Sequence, residues 1–409
     1  MPLSAARAAA TTTDRDNPGS FKHVPALDGV RGLAILLVLM FHLMWSNPHS
    51  GSRILDLFNQ VRIAGFCGVN LFFALSGFLI TGILLDSLNA ASYFKTFYAR
   101  RSLRIFPLYY GFIFLLLLLT KPLHFVWSGW QYYFLTYSAN LALWRSSVPL
   151  VLHNFNINHF WSLQVEEQFY LAWPLVVYRV RRPERLAGIA IAGCALVLCT
   201  RIFLVAMQSH PAFNNKYLPY SPTFSCADNL LFGCGLCAVL RTNWRTKILR
   251  IAPAIFAACL LACIVIAVVN HTAEWDEGAT AATRGLMPTV GFTFIGLGSA
   301  ALIALSLRTG MVQSVFRNFI LRFFGKYSYG LYVYHYSLDE ALKAPLRTWL
   351  YGHIHSKGMS VILEALLVGA LSVFIAVLSY HLYEVQFLRL KRFFEYNRGL
   401  PHKPAVAAG

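Results

Sequence analysis

Two ionisable side chains, Arg31 and His42, lie in the first long apolar segment of the chain. They are eleven positions apart, which at about 100° per residue places them on one helical face, about 16 Å apart along the axis. Asp28 lies one turn before Arg31 and can fix its guanidinium group. Ionisable side chains inside such segments are costly and functional by default. This spacing therefore favours a functional role for both side chains over the alternative, in which Arg31 reaches the lipid headgroups and His42 is an interfacial residue beside Trp45.

A second polar group opens a later apolar segment, which reads His159-Phe-Trp-Ser-Leu-Gln-Val-Glu166-Glu167. Two adjacent carboxylates are costly at membrane depth unless they are paired or face a water-filled cavity. Ser162 and Glu166 lie four positions apart and share one helical face. Glu166 is a candidate catalytic carboxylate, and the alternative is a structural partner for a buried arginine. His335, in a later segment rich in tyrosine, is by itself better interpreted as a hydrogen-bonded core residue.

A cluster of guanidinium groups precedes the third apolar segment. Arg100, Arg101 and Arg104 occupy one helical turn, and arginine binds phosphate with two parallel hydrogen bonds. The cluster is therefore a candidate site for a phosphate-bearing ligand. The alternative is ordinary basic decoration of a loop on the inner side of a membrane.

The elements that must position these side chains are transmembrane helices. The 409 residues are 57% hydrophobic and 13% charged, whereas a soluble domain carries about 25% charged residues. The apolar runs have the length that crosses a bilayer as helix. We predict an all-α polytopic bundle of about ten membrane helices, over residues 29–46, 66–86, 105–120, 159–178, 186–207, 226–240, 251–270, 288–307, 326–342 and 360–383.

The net charge of +18 orients this bundle and does not indicate nucleic-acid binding. With both termini cytoplasmic, most Lys and Arg residues fall in the inner segments, as the positive-inside rule requires. We predict a membrane domain over 25–395 between disordered cytoplasmic tails, 1–24 and 396–409. The first tail lacks an apolar core, so we expect no cleavable signal peptide.

The eight cysteines lie mostly inside apolar runs, where Cys234 and Cys237 form a CxxC pair between glycines. Small residues of this kind let helices approach closely. A zinc site would need two further ligands at suitable spacing, and none is evident. We therefore expect packing roles and no metal.

Six segments, in this order, resemble the acyltransferase-3 family of membrane-bound carbohydrate O-acyltransferases. They are LDGVRGLAILLVLMFH (27–42), NLFFALSGFLITGIL (70–84), RRSLRIFP (100–107), FWSLQVEEQFYLAWP (160–174), YSYGLYVYH (327–335) and SYHLYE (379–384).

The resemblance implies a multi-pass protein of the bacterial inner (cytoplasmic) membrane that uses cytoplasmic acyl-CoA, usually acetyl-CoA. The acyl group would pass to a hydroxyl of a sugar in a cell-surface glycan or glycolipid. Functional motif positions fall on Arg31, His42 and the arginine cluster, and Glu166 matches the motif carboxylate. Residues that could contact the substrate are Trp161, Ser162, His335 and Asp228.

The chain departs from the family pattern at two places. Cys226 stands where an arginine is expected two positions before Asp228, which puts in doubt any substrate contact made by that arginine. The closing Glu-x-Pro element reads Glu384-Val385-Gln386, without the proline.

The mechanism that we expect uses His42 as general base on the acceptor hydroxyl while the arginine cluster holds the phosphates of acyl-CoA. Asp28 or Glu166 would orient His42 or its neighbours, and Arg31 would hold donor or carbonyl charge. Direct transfer is the default, with an acyl-histidine intermediate left open. A secondary transporter or a subunit for polysaccharide export remains the alternative function.

Overall fold

The predicted all-α architecture is confirmed by a computed structural model that describes residues 24–44, 62–145, 151–152, 155–210, 213, 215, 217–269 and 285–396. Nearly all of the predicted terminal tails lies outside these residues. The α-helices are Pro25–Leu43 (α1), Cys67–Asp86 (α2), Tyr93–Leu118 (α3), Trp130–Leu135 (α4), Ala139–Arg145 (α5), Trp161–Val180 (α6), Pro183–Ala206 (α7), Thr223–Val239 (α8), Arg245–Val269 (α9), Phe292–Ser306 (α10), Met311–Phe316 (α11), Phe319–Ile354 (α12), Lys357–Ser379 (α13) and Val385–Arg389 (α14).

A β-hairpin with strands of two residues each accompanies the helices of the described chain. Strands Val151–Leu152 (β1) and Phe155–Asn156 (β2) pair antiparallel, with Leu152 opposite Phe155. The hairpin lies just before α6 in the long loop between α3 and α6. The same loop contains α4, whose sequence is rich in aromatic residues.

Each of the ten predicted spans coincides with a helix, and seven helical segments of the described chain are long and apolar enough to cross a membrane. These seven contain α1, α2, α3, α7, α9, α10 and α13. Helix α8 has 17 residues, and α6 and α12 carry many polar groups on buried faces. The count of ten spans and the cytoplasmic position of both termini therefore stay predictions.

Two helices extend well beyond their predicted spans. Helix α3 begins at Tyr93, so the arginine cluster lies within the helix and not in a loop before it. Helix α12 has 36 residues and continues to Ile354. The predicted spans covered only the apolar part of each helix, whereas the polar residues beside that part continue the same helix.

The helix pair that positions the candidate residues is α1 with α12. Helix α1 packs more extensively on α12 than on any other described element. The two helices run parallel, since Asp28 lies against Gly325 near their beginnings and His42 against His335 farther on. A Cβ atom at Gly325 would overlap the carbonyl oxygen of Asp28, and one at Gly32 would overlap that of Leu321. Glycine at both positions is what permits this close approach.

The remaining helices enclose this pair. Helix α2 packs against α1 on one side and α8 on the other, and α8 in turn packs against α7. Helix α13 packs along α12, and α9 packs against α10. Both faces of α1 are thereby covered, and eleven of its residues are buried.

We predict that Gly325→Ala destabilises the protein by about 1–3 kcal/mol, because the added methyl group forces two backbones apart. Gly352→Ala is the matched control, since it lies on the same helix with open space around its Cα. There, alanine should stabilise the helix by about 0.5–1 kcal/mol. Thermal unfolding in detergent measures both variants. Equal stability of the two would contradict the close crossing of α1 and α12.

Candidate active site

The central contact of the candidate site joins two histidines. His42 lies in the last turn of α1, and His335 is fully buried in the middle of α12. The Nε2 atom of His335 is 3.0 Å from Nδ1 of His42, and the ring centroids are 5.0 Å apart. The two helices therefore bring together residues that are 293 positions apart in the sequence.

The hydrogen bonds of His335 determine which nitrogen of His42 is free to act as a base. Nδ1 of His335 lies 2.8 Å from the carbonyl oxygen of Leu331 and 3.0 Å from that of Tyr332. A carbonyl oxygen only accepts, so this Nδ1 carries the hydrogen, and Nε2 of a neutral His335 is an acceptor. His42 must then donate from Nδ1. Its Nε2 atom is left with the lone pair that a general base needs.

A third histidine and a tyrosine complete the surroundings of this pair. His159 donates from Nε2 to the carbonyl oxygen of Tyr332 at 3.0 Å, and its ring is 5.4 Å from that of His335. The centre of the Tyr336 ring lies 4.4 Å from that of the His42 ring, and the two rings are tilted relative to each other. His159 was not among the predicted site residues, although it opens the predicted span 159–178.

A basic cavity lies at the end of the bundle where α1 and α12 begin. It has a volume of about 320 Å³, and we call it the mouth cavity. Four cationic side chains line it, together with two carboxylates, Asp28 and Glu384; the cations are Arg31, Arg104, Arg322 and Lys326. Arg322 and Lys326 were missed in the sequence because they read as ordinary basic residues of an inner loop.

A second cavity of about 100 Å³ continues from the mouth toward the histidines, and we call it the deep cavity. The two cavities share Arg31, Arg104 and Tyr329. Ser162 and Tyr332 line the deep cavity. Neither His42 nor His335 lines the deep cavity. The two cavities therefore do not open onto the histidine pair.

The structure separates the three arginines of the predicted cluster. Arg104 lines both cavities, and Arg101 lines the deep cavity, with its guanidinium 4.6 Å from the centre of the Tyr170 ring. Arg100 instead donates to the carbonyl oxygens of Lys391 and Phe394, at 3.2 and 2.8 Å. Arg100 therefore holds the segment after α14, and two members of the cluster are available to a ligand in the cavities.

The predicted carboxylates lie near the arginines and do not orient His42. Asp28 accepts a hydrogen bond from Arg31 at 3.4 Å in the wall of the mouth cavity. Glu166 lines the deep cavity and accepts from the hydroxyl of Tyr170 at 2.9 Å. The orienting partner of His42 is His335, which sequence reasoning had interpreted as a core residue or a substrate contact.

Two predicted substrate contacts have other surroundings. The ring of Trp161 packs edge-on against Phe73 and Tyr220, at 6.0 and 5.7 Å. Asp228 is fully buried in α8, and both of its oxygens accept from Arg201, at 2.9 and 2.6 Å. Asp228 lines neither the mouth cavity nor the deep cavity.

Arg201 supplies the guanidinium group that the sequence lacks at Cys226. It lies in α7, is fully buried, and also donates to the hydroxyl of Thr293. The Cys226 thiol donates to the carbonyl oxygen of Pro222 at 3.2 Å. The guanidinium partner of Asp228 therefore comes from Arg201 on the neighbouring helix and not from the position of Cys226.

Comparison with known proteins gives consistent matches over most of the chain. The family model described as "Acyltransferase domain" matches residues 24–381. The putative peptidoglycan O-acetyltransferase YrhL of Bacillus subtilis (strain 168) is 29% identical over 402 residues, covering 89% of this chain and 54% of that relative. The peptidoglycan O-acetyltransferase OatA of Listeria monocytogenes is 29% identical over 350 residues, covering 78% and 50%. The chain thus spans about half the length of these curated relatives, and no solved structure matches it significantly.

We predict that Arg201→Leu destabilises the protein by about 3–5 kcal/mol, because it leaves the buried Asp228 carboxylate without its guanidinium partner. The double variant Arg201→Leu/Asp228→Leu removes both charges and should recover most of that loss. The measurement is thermal unfolding in detergent. If the double variant were no more stable than the single one, the pair would not be the source of the effect.

Proposed function

The chain belongs to the acyltransferase domain family, and we propose that it moves an acetyl group from a CoA thioester to a hydroxyl of a cell-envelope glycan. The observation that carries the proposal is the hydrogen-bonded histidine pair, which lies beyond the deep cavity. Four cationic side chains line the adjoining mouth cavity. This arrangement suits a donor with several phosphates at one end and a reactive thioester at the other.

The acceptor class follows from the names of the relatives. Two of them are called peptidoglycan O-acetyltransferases, and the acceptor proposed here is accordingly a hydroxyl of peptidoglycan or of a similar surface glycan. Seven helices suited to a membrane and a basic mouth at one end support a donor that enters from the cytoplasm. The glycan would then approach His42 from the opposite end of the bundle.

The phosphates of the donor would bind at the mouth cavity. Arg31, Arg104 and Lys326 reach it from α1, α3 and α12, so three helices must assemble to form the site. Arginine can contact a phosphate with two parallel hydrogen bonds, and lysine adds a compact charge. Asp28 fixes Arg31 by accepting its hydrogen bond, which leaves the other guanidinium nitrogens for the donor.

His42 would act as the general base. As the acceptor oxygen attacks the thioester carbonyl, its proton moves to Nε2 of His42, and His335 keeps accepting the hydrogen bond from Nδ1. The new carbon–oxygen bond forms while the carbon–sulfur bond breaks. The departing thiolate then takes the proton from His42. No net proton is consumed, so both histidines return to their starting state.

The deep cavity would hold the arm that carries the thioester. Its walls combine aromatic rings with Arg101, Glu166 and Tyr170; the Tyr170 hydroxyl donates to Glu166, and the guanidinium of Arg101 lies over the Tyr170 ring. Glu166 thus contributes by fixing Tyr170, and through it Ser76, whose hydroxyl lies 2.6 Å from that of Tyr170. A preformed cavity of this kind would position the thioester and keep water away from it.

We predict that His42→Ala lowers kcat for acetyl transfer by about 10²- to 10⁴-fold, the usual contribution of a positioned base. His335→Leu should lower it by about tenfold, the value of one hydrogen bond that holds His42. His353→Ala is the control, since His353 is exposed on the same helix. Release of free CoA thiol and acetylated glycan fragments measures the rates. Full activity of His42→Ala in a correctly inserted protein would exclude the proposed base.

We predict that Arg104→Gln raises KM for acetyl-CoA by about tenfold or more, because a charge-assisted contact to phosphate is lost. Arg100→Gln, four residues away on the same helix, should change KM less than about twofold, because its guanidinium is bonded to backbone carbonyls. The two variants change the net charge equally. Equal effects on KM would therefore indicate general electrostatics and not a phosphate site.

A further inference from the structure

The deep cavity ends at a wall made of two hydroxyl-bearing side chains. Ser162 of α6 and Tyr332 of α12 line its far end, and the centre of the Tyr332 ring lies 5.8 Å from that of His335. Tyr332 therefore borders both the cavity and the histidine pair. His42 does not line the cavity, so a thioester held there needs an opening past this side chain before the reacting atoms can approach to about 3–3.5 Å.

Hydrogen bonds hold the wall closed. The hydroxyl oxygens of Ser162 and Tyr332 are 2.5 Å apart, and the Tyr332 hydroxyl donates to the carbonyl oxygen of His159 at 2.8 Å. The Ser162 hydroxyl lies 3.2 Å from the same carbonyl oxygen, so either hydroxyl can be the donor in the contact between the two side chains. The ring of Phe72 packs edge-on against that of Tyr332 at 6.3 Å.

The backbone carbonyl of Tyr332 makes hydrogen bonds that do not involve its side chain. Its carbonyl oxygen accepts hydrogen bonds from His159 and from Nδ1 of His335. These bonds set the tautomer of His335 and hence the basic nitrogen of His42. Rotation of the Tyr332 side chain would leave its carbonyl in place. The wall can therefore open while the histidine pair stays oriented.

We propose that Tyr332 and Ser162 form a gate between the donor cavity and the histidine pair, which keeps the thioester away from His42 and from water until the side chain of Tyr332 turns aside. The proposal rests on the function proposed above, since it names the residues that control access to the same site. Tyr332 is a positioning residue in this scheme. The acceptor hydroxyl and the thioester meet only when the gate is open, so hydrolysis in the absence of acceptor stays slow.

The first test compares acetyl-CoA hydrolysis without acceptor in purified wild type, Tyr332→Phe and Ser162→Ala. Both variants keep the packing volume nearly unchanged and remove the bond between the two hydroxyls. We expect hydrolysis to rise at least threefold in each of the two variants. Tyr334→Phe is the matched control, because it removes a similar bond, from the Tyr334 hydroxyl to Ser379 at 3.0 Å, on the same helix. Hydrolysis that is equal in all four proteins would overturn the gate.

A second test does not depend on activity. His42→Cys places a thiol behind the gate, and a water-soluble maleimide added to the side of the basic mouth labels it, with the modified residue identified by mass spectrometry. Labelling should be at least threefold faster when Tyr332→Phe is added, and unchanged when Tyr334→Phe is added. Equal labelling in all three proteins would overturn the gate. A wild type that releases no CoA from acetyl-CoA when peptidoglycan fragments are supplied as acceptor would instead overturn the proposed function, while the labelling result still decides the gate.

Discussion

The close crossing of α1 and α12 is the constraint on which the rest of the site depends. Backbone meets backbone at Gly32 and Gly325, with no space for a side chain on either helix. Because the helices run parallel from this point, His42 and His335 are brought to within hydrogen-bond distance about ten residues farther along each helix. A larger side chain at the crossing would separate the two rings. Nδ1 of His42 would then lose its partner, His335, whose hydrogen bond leaves Nε2 of His42 as the basic nitrogen.

Buried charge in this bundle falls into two kinds, which the structure distinguishes by their partners. The pair of Arg201 and Asp228 is closed, since the carboxylate accepts two hydrogen bonds from the guanidinium and neither the mouth cavity nor the deep cavity reaches it. Around the mouth cavity the cations outnumber the carboxylates, and open volume lies between them. An unbalanced cluster of this kind is costly to maintain in a membrane domain unless an anion enters it. This contrast is the physical reason for assigning structure to Arg201 and ligand binding to Arg104.

Local periodicity predicted the parts of the site that lie on one helix. The common face of Arg31 and His42, and the helical turn of the arginine cluster, follow from 3.6 residues per turn. The contacts between helices could not be predicted in this way. His335 looked like a core residue because its partner lies 293 positions away, and the sequence could not indicate that Arg201 would reach Asp228 from a neighbouring helix. Arg100 and Arg104 also looked equivalent until the backbone carbonyls after α14 were in place.

Helix α12 contributes a residue to each part of the site. Lys326 lines the mouth cavity, Tyr329 lines both cavities, Tyr332 lines the deep cavity and His335 bonds to His42, at successive intervals of three residues. Each interval of three changes the direction of the side chain by about 60°, so these four side chains wind around the helix and span about 14 Å along its axis at 1.5 Å per residue. Arg31 and His42 span a similar length on α1. The proposed phosphate binding and the proposed proton transfer would therefore depend on the same two parallel helices, and a shift of one helix along the other would disturb both steps together.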